Sequence, residues 1–218
     1  MIKCVIFDLD GTLLDTISTI TYYVNKTLQS FGFEPITEDE CKYFAGDGPE
    51  NLIRRSLHSK GCDDEALLLT VLSRYKANYA EAPLYLTEPF SGIVDMLKSL
   101  SSRGVKVAVV SNKQDEAVAD VVSHFFSELV HLSRGSRAGV PLKPAPDALF
   151  DVMRELDVKA SEVAYVGDTN VDMQTGRAFG AALTVGVLWG FRERRELVEN
   201  GADVIVSSVR ELLSEVTR

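Results

Sequence analysis

The chain opens with a run that is apolar and largely β-branched, Met1 to Phe7, interrupted only by Lys3, as a strand buried on both faces of a parallel sheet requires. The period then changes. Ile17, Ile20, Val24, Leu28 and Phe31 recur at three- and four-residue spacing and predict an amphipathic helix that stops near Phe31-Gly32-Phe33. A short helix is expected from Thr37 to Tyr43. Ala45-Gly46-Asp47-Gly48-Pro49 is a glycine turn with proline placed to open another helix, whose inward residues are Leu52, Ile53 and Leu57. Asp63-Asp64-Glu65 puts acid at a further helix start, where it favours the dipole, and Leu67, Leu68, Val71, Leu72, Tyr75 and Tyr79 supply that helix's apolar face. No strand pattern occurs between Asp15 and Ala82.

Beyond Pro89 helix and strand alternate. Helices are expected at Gly92–Arg103, Asp115–Phe125, Asp147–Leu156, after Asp168, at Arg192–Asn200 and at the end of the chain. Strands are expected at Lys106–Val110, near Leu129–Leu132, and at Val163–Val166, Leu183–Val187 and Asp203–Val206. Short apolar strands alternating with helices predict an α/β fold with a Rossmann-like, doubly wound parallel sheet. The expected division is a core of residues 1–15 and 83–218 and a helical insert of residues 16–82 after the first strand.

Composition narrows the class of function. The chain has 218 residues, 45% of them apolar, and a net charge of −9, which argues against a nucleic-acid or anionic-membrane partner. No apolar run approaches the roughly 20 residues of a membrane span, and Met1 reaches Asp8 too soon for a signal peptide. Cys4, Cys41 and Cys62 are odd in number and scattered, as reduced thiols of a cytoplasmic protein would be. His58, His124 and His131 form no metal-spaced pair. A monomer or homodimer acting on a small molecule is expected.

The chemistry gathers where apolar strands end. Asp8 and Asp10 close the first strand, followed at once by Gly11 and Thr12. Residues i and i+2 of a strand share a face, and open α/β sheets bind ligands beyond the carboxyl ends of their strands. Asp-Gly is also ordinary turn chemistry. Two close carboxylates repel unless a proton or cation intervenes, and an oxygen donor set without His or Cys favours Mg2+ over zinc. Ser111 and Asn112 follow the strand ending at Val110, where they offer a hydroxyl and an amide to an anion or simply cap the next helix. Lys143 sits in Leu142-Lys143-Pro144-Ala145-Pro146, where two prolines stiffen the chain. Val166-Gly167-Asp168-Thr169-Asn170-Val171-Asp172 places one carboxylate at a strand exit and a second four residues later.

Asp8-Leu9-Asp10-Gly11-Thr12-Leu13-Leu14-Asp15-Thr16 resembles the first motif of the haloacid dehalogenase superfamily in its phosphatase branch, and Ser111, Lys143 and the pair Asp168 and Asp172 follow in the order that resemblance demands. It implies that Asp8 is the nucleophile, forming an aspartyl-phosphate, and Asp10 the general acid and base. It implies Mg2+ held by the Asp8 carboxylate, the Asp10 backbone carbonyl and Asp168. Asp172 would hold a metal-bound water or orient Lys143, and Ser111, Asn112 and Lys143 would hold the phosphoryl oxygens. Haloalkanoate-cleaving relatives lack the second aspartate, because halide leaves without a proton; Asp10 therefore points to a phosphatase.

The helical insert falls where the family places its cap, which closes over small phosphate esters. The Gly46-Asp47-Gly48 turn and the stretch Gly180 to Asp203 are similar to phosphoglycolate phosphatases. Backbone N–H groups at Gly46 and Gly48 could receive a substrate carboxylate, with Arg54 or Arg55 adding charge and Asp47 opposing it unless its side chain turns away; an ordinary turn opening a cap helix is the alternative. The expected activity is Mg2+-dependent hydrolysis of a small phosphate monoester, with 2-phosphoglycolate foremost. A sugar phosphate or pyrophosphate as substrate, a phosphomutase, and a non-catalytic binding module are the other readings.

Overall fold

The structure is a computed structural model and describes all 218 residues. The elements, in chain order, are β1 (Cys4–Phe7), β2 (Leu14–Asp15), α1 (Ile17–Ser30), α2 (Glu38–Phe44), α3 (Pro49–His58), α4 (Glu65–Glu81) and β3 (Glu88–Pro89). Then follow α5 (Ile93–Ser102), β4 (Lys106–Gln114), α6 (Asp115–Phe126), β5 (Leu132–Ser136), α7 (Asp147–Glu155) and β6 (Val163–Gly167). The chain closes with α8 (Asn170–Phe179), β7 (Leu183–Val187), α9 (Arg194–Glu199), β8 (Val204–Val206) and α10 (Val209–Val216). Two compact units result: Met1–Asp15 with Pro89–Arg218, and Thr16–Glu88. Residues 83–88, expected with the core, belong to the helical unit.

In the first unit six strands form one sheet in the order β5-β4-β1-β6-β7-β8, and every pairing is parallel. The α/β doubly wound expectation holds. All of β1 is buried. Cys4 and Ile6 join Ala108, Val110, Val163 and Tyr165 under Ala148, Leu149 and Val152 of α7 and Phe179 of α8. Val5 and Phe7 point to the opposite face and are equally buried. Burial on both faces explains why the strands read as unbroken apolar runs. After β1 the chain builds outward through β4 and β5 and returns to β6 on the other side, so the topological switch lies at β1, where doubly wound sheets open a crevice.

Two of the expected strands beyond Pro89, β4 and β5, differ from expectation by more than one residue. Leu129 and Val130 do not begin a strand; their N–H groups donate to Phe126 C=O and close α6. Strand β5 runs through the mostly polar Leu132–Ser136, an edge strand held by backbone pairing to β4 that leaves no apolar period to read. Strand β4 continues past Val110 through Ser111, Asn112 and Lys113, with a register shift against β5 between Val110 and Gln114.

The second unit is helical. Helix α1 packs on α2 and α4, and α3 packs on α4. Thr37 opens α2 with a capping box to Glu40. The Asn25 side chain bonds both backbone groups of Ile36, at 2.9 and 2.8 Å. Asn78 of α4 donates to Thr27 Oγ1 of α1 at 2.9 Å, so the buried amide has a partner. No helix is long and apolar enough to cross a membrane.

Candidate active site

Register brings three strand exits to one level. Phe7 of β1 is aligned with Val109 of β4 and Val166 of β6. Asp8 is therefore level with Val110 and Gly167, and Ser111 and Asp168 follow one residue further along their strands. Asp8 is buried and continues the ladder, its N–H donating to Val166 C=O at 2.8 Å.

The loop after Asp8 is stitched to the exit of β6. Leu9 and Leu13 are fully buried anchors. Thr12 Oγ1 donates to Asp168 Oδ1 at 2.7 Å, and Phe191 N–H donates to Asp168 Oδ2 at 2.8 Å. Trp189 Nε1 donates to Thr12 C=O at 3.0 Å. The fit around Asp168 requires glycine on two sides: a Cβ at Gly11 or at Gly190 would lie 2.3 Å from an Asp168 side-chain atom.

Thr169 is the N-cap of α8 and forms a capping box with Asp172. Asp172 Oδ2 accepts from Thr169 N–H at 3.0 Å and Thr169 Oγ1 at 2.7 Å. Its Oδ1 accepts from Lys143 Nζ at 2.7 Å and Tyr165 O–H at 3.0 Å. Both oxygens of Asp172 are engaged. Lys143 Nζ also donates to Asp8 Oδ1 at 2.7 Å, so one buried ammonium bridges the carboxylates of β1 and α8.

Lys143 is held by Asn112, whose side-chain oxygen accepts from Lys143 N–H at 2.9 Å and whose side-chain nitrogen donates to Lys143 C=O at 3.1 Å. The Asn112 side chain, expected to face a phosphoryl oxygen, thus clamps the lysine loop instead. Ser111 is buried, and its Oγ accepts from Lys113 N–H at 3.3 Å. Asp10 is less enclosed and is paired with Lys113, a residue the sequence reading passed over.

Oxygens of Asp8, Asp168 and Asp172 lie within 4.8 Å of one another. An all-oxygen donor set fits a hard divalent cation such as Mg2+. Each Asp172 oxygen already accepts two hydrogen bonds, whereas each Asp168 oxygen accepts one and Asp8 accepts from Lys143 through Oδ1, so Asp8 and Asp168 are the carboxylates better suited to the ion. Electrostatics agrees with that division. Burial, with Asp172 nearby, pushes the Asp8 carboxyl up to about 7. The Asp168 carboxyl is raised well above its ordinary value by burial and then by Asp172 and Asp8. Asp172 is held low: burial opposes its ionisation, but the Lys143 ammonium and the Thr169 donors outweigh it. Burial likewise works against the Lys143 charge, and Asp172 and Asp8 overcome it, leaving the ammonium held well above its ordinary range. Burial pushes the Cys4 thiol up to about 12 and Cys41 to about 11, so neither is a ready nucleophile.

In the helical unit, Gly48 is the N-cap of α3 at φ 97° and Gly46 has φ 121°. Asp47 accepts from Arg55 at 2.7 and 2.5 Å, so its charge is paired. Arg54 is bonded to Glu50 at 3.0 Å and to Glu65. The positive charge expected of Arg54 is therefore already met by two carboxylates.

The model of the haloacid dehalogenase-like hydrolase family matches residues 5–185. The chain belongs to that family. Phosphoglycolate phosphatase 1 of Pseudomonas aeruginosa is 32% identical over 224 residues, covering 97% of this chain and 78% of the relative. Phosphoglycolate phosphatase of Aquifex aeolicus is 30% identical over 194 residues, 87% of this chain and 86% of its own. A solved structure from Lactobacillus delbrueckii subsp. bulgaricus, provisionally named a phosphoglycolate phosphatase, has a TM-score of 0.94 and 32% identity, covering 98% of each chain. As a member of the family this chain is an enzyme of the hydrolase class.

Proposed function

We propose that the protein is a Mg2+-dependent phosphatase of small phosphate monoesters, with 2-phosphoglycolate as substrate. One observation carries the reading: Lys143 Nζ, 2.7 Å from both Asp8 and Asp172, closes an acidic cluster at the switch point of the sheet that also holds Asp168. The names of the relatives support the substrate.

Asp8 is the nucleophile. Its carboxylate oxygen bonds phosphorus while the bond to the ester oxygen breaks, giving an aspartyl-phosphate. Asp10 gives its proton to the departing oxygen, then takes one from the water that attacks phosphorus. That second displacement breaks the bond to Asp8 and releases inorganic phosphate. Lys143 holds phosphoryl oxygens and offsets their charge, and Asn112 and Asp172 keep Lys143 in place. Ser111 adds its hydroxyl from the neighbouring strand, one residue beyond the level of Asp8. Asp8, Asp168 and the Asp10 backbone carbonyl would hold Mg2+. When bound, that ion lowers the repulsion between the Asp8 carboxylate and the anionic ester.

Phosphate release from 2-phosphoglycolate in the presence of Mg2+ tests the reading. Measurable turnover is expected, with loss of at least roughly 1,000-fold in Asp8→Asn, because the covalent route is removed. A folded wild type that releases no phosphate would overturn it. A broader substrate range has support from the pairing of Arg54 with Glu50 and Glu65, which leaves the helical unit less suited to singling out a carboxylate. A panel including a sugar phosphate and pyrophosphate separates the two. Isomeric sugar phosphate instead of free phosphate would mark a phosphomutase.

A further inference from the structure

Two lysines meet the carboxylates of this site, one on each member of the opening aspartate pair. Lys143 bridges Asp8 and Asp172. Lys113 Nζ straddles the Asp10 carboxylate, 2.9 Å from Oδ1 and 3.1 Å from Oδ2, and the two side chains are 9% and 17% exposed. The terminal torsion of an aspartate is broad, so a carboxylate at the edge of a site samples many orientations. A cation across both oxygens fixes its plane.

Lys113 is itself placed by the end of β4. The register against β5 shifts between Val110 and Gln114, and a bulge of this kind re-aims the side chains it carries. The β5 side of the shift is Gly135, where a Cβ would lie 2.6 Å from Lys113 C=O and 2.5 Å from Asp115 Cα. Gly135 N–H donates to Asp115 Oδ1 at 2.6 Å. Only a residue without a side chain lets the edge strand close on this turn.

We propose that Lys113 is the positioning residue of Asp10, holding its carboxyl group in the orientation from which it gives a proton to the leaving oxygen and takes one from water. The inference rests on the phosphatase reading above. An ammonium group donates and never accepts. When Asp10 carries its proton, one oxygen keeps accepting from Lys113, and the other bears the O–H, which points away from the ammonium because two donors do not bond each other. In the first displacement that O–H bond breaks as the ester oxygen leaves phosphorus and gains the proton. In the second, water loses a proton to the same oxygen as it bonds phosphorus and the bond to Asp8 breaks.

The test compares Lys113→Met and Lys113→Arg on two esters. Glycolate leaves 2-phosphoglycolate as an alcohol and needs the proton; p-nitrophenol leaves as a stable anion and does not, while the second displacement, common to both esters, needs Asp10 to take a proton from water. Lys113→Met is expected to lower kcat/KM on 2-phosphoglycolate roughly 10- to 100-fold through kcat, to lose several-fold less kcat/KM on p-nitrophenyl phosphate, where that ratio reports departure of the leaving group, and to regain activity as Lys113→Arg. In an Asp10→Asn background the same substitution is expected to have no further effect on either ester. Equal losses of kcat/KM on both esters, a raised KM with kcat intact, or an undiminished effect in Asp10→Asn would overturn the proposal. A wild type active on both esters whose kcat is insensitive to Lys113→Met overturns it alone. A wild type inactive on both overturns the phosphatase reading, and this inference with it.

Discussion

Asp8 and Asp168 hold their protons more tightly in the folded chain than in the unfolded one, because burial and the neighbouring carboxylates disfavour their charge. The sign for stability follows. Where the folded state binds more protons, stability falls as pH rises. In chelator, the unfolding free energy is therefore expected to fall from about pH 4 to about pH 7, the interval between the ordinary aspartate value and that of Asp8. Asp172 works in the opposite direction, since its depressed value gives stability that is lost only as pH drops below the ordinary carboxylate range. Urea melts at several pH values check this; stability that stays flat across that interval would mean that the cluster is solvated, and a rise would mean that its carboxylates are held ionised. The residues carrying these effects were legible in the sequence because each ends an apolar run with a polar side chain. Lys113 was not, although as the second residue after Ser111 along one strand it invited the same reading. Trp189 and Gly190 were missed for another reason: their contacts with Thr12 and Asp168 join loops far apart in the chain, and no local pattern records them.

At the scale of elements, strands buried on both faces announced themselves and the edge strand did not. Strand β7 begins and ends where the apolar run does, at Leu183 and Val187. Strand β5 is specified by its pairing with β4, so the apolar Leu129 and Val130 misled; they close a helix instead. The same junction gives a prediction. Gly135→Ala introduces a methyl group against backbone atoms that cannot move aside, which is expected to cost roughly 1–3 kcal/mol and to distort the turn bearing Lys113. The expected outcome is a lower thermal midpoint together with a loss of kcat on 2-phosphoglycolate. Unchanged stability would show that β5 is free to slide away.

For the whole molecule, a bound ion that meets folded carboxylates and not the unfolded chain stabilises by mass action. Mg2+ at about 100 times its Kd is expected to add roughly 2.7 kcal/mol to the unfolding free energy, and the effect should vanish in Asp168→Asn. Thermal melts across a Mg2+ titration measure it; the same gain in the variant would place the ion elsewhere. The division into a sheet unit and a helical unit was visible in the change of period at Pro89. The boundary at Glu88 was not, because residues 83–88 carry no period at all. The order of the sheet has a consequence for biosynthesis. Strand β1 leaves the ribosome before both of its neighbours, which begin at Lys106 and Val163. A fully apolar segment must wait for most of the polypeptide to be translated before both its edges are covered. Until then the nascent chain carries an exposed template for aggregation, which makes this opening segment a natural client for chaperones.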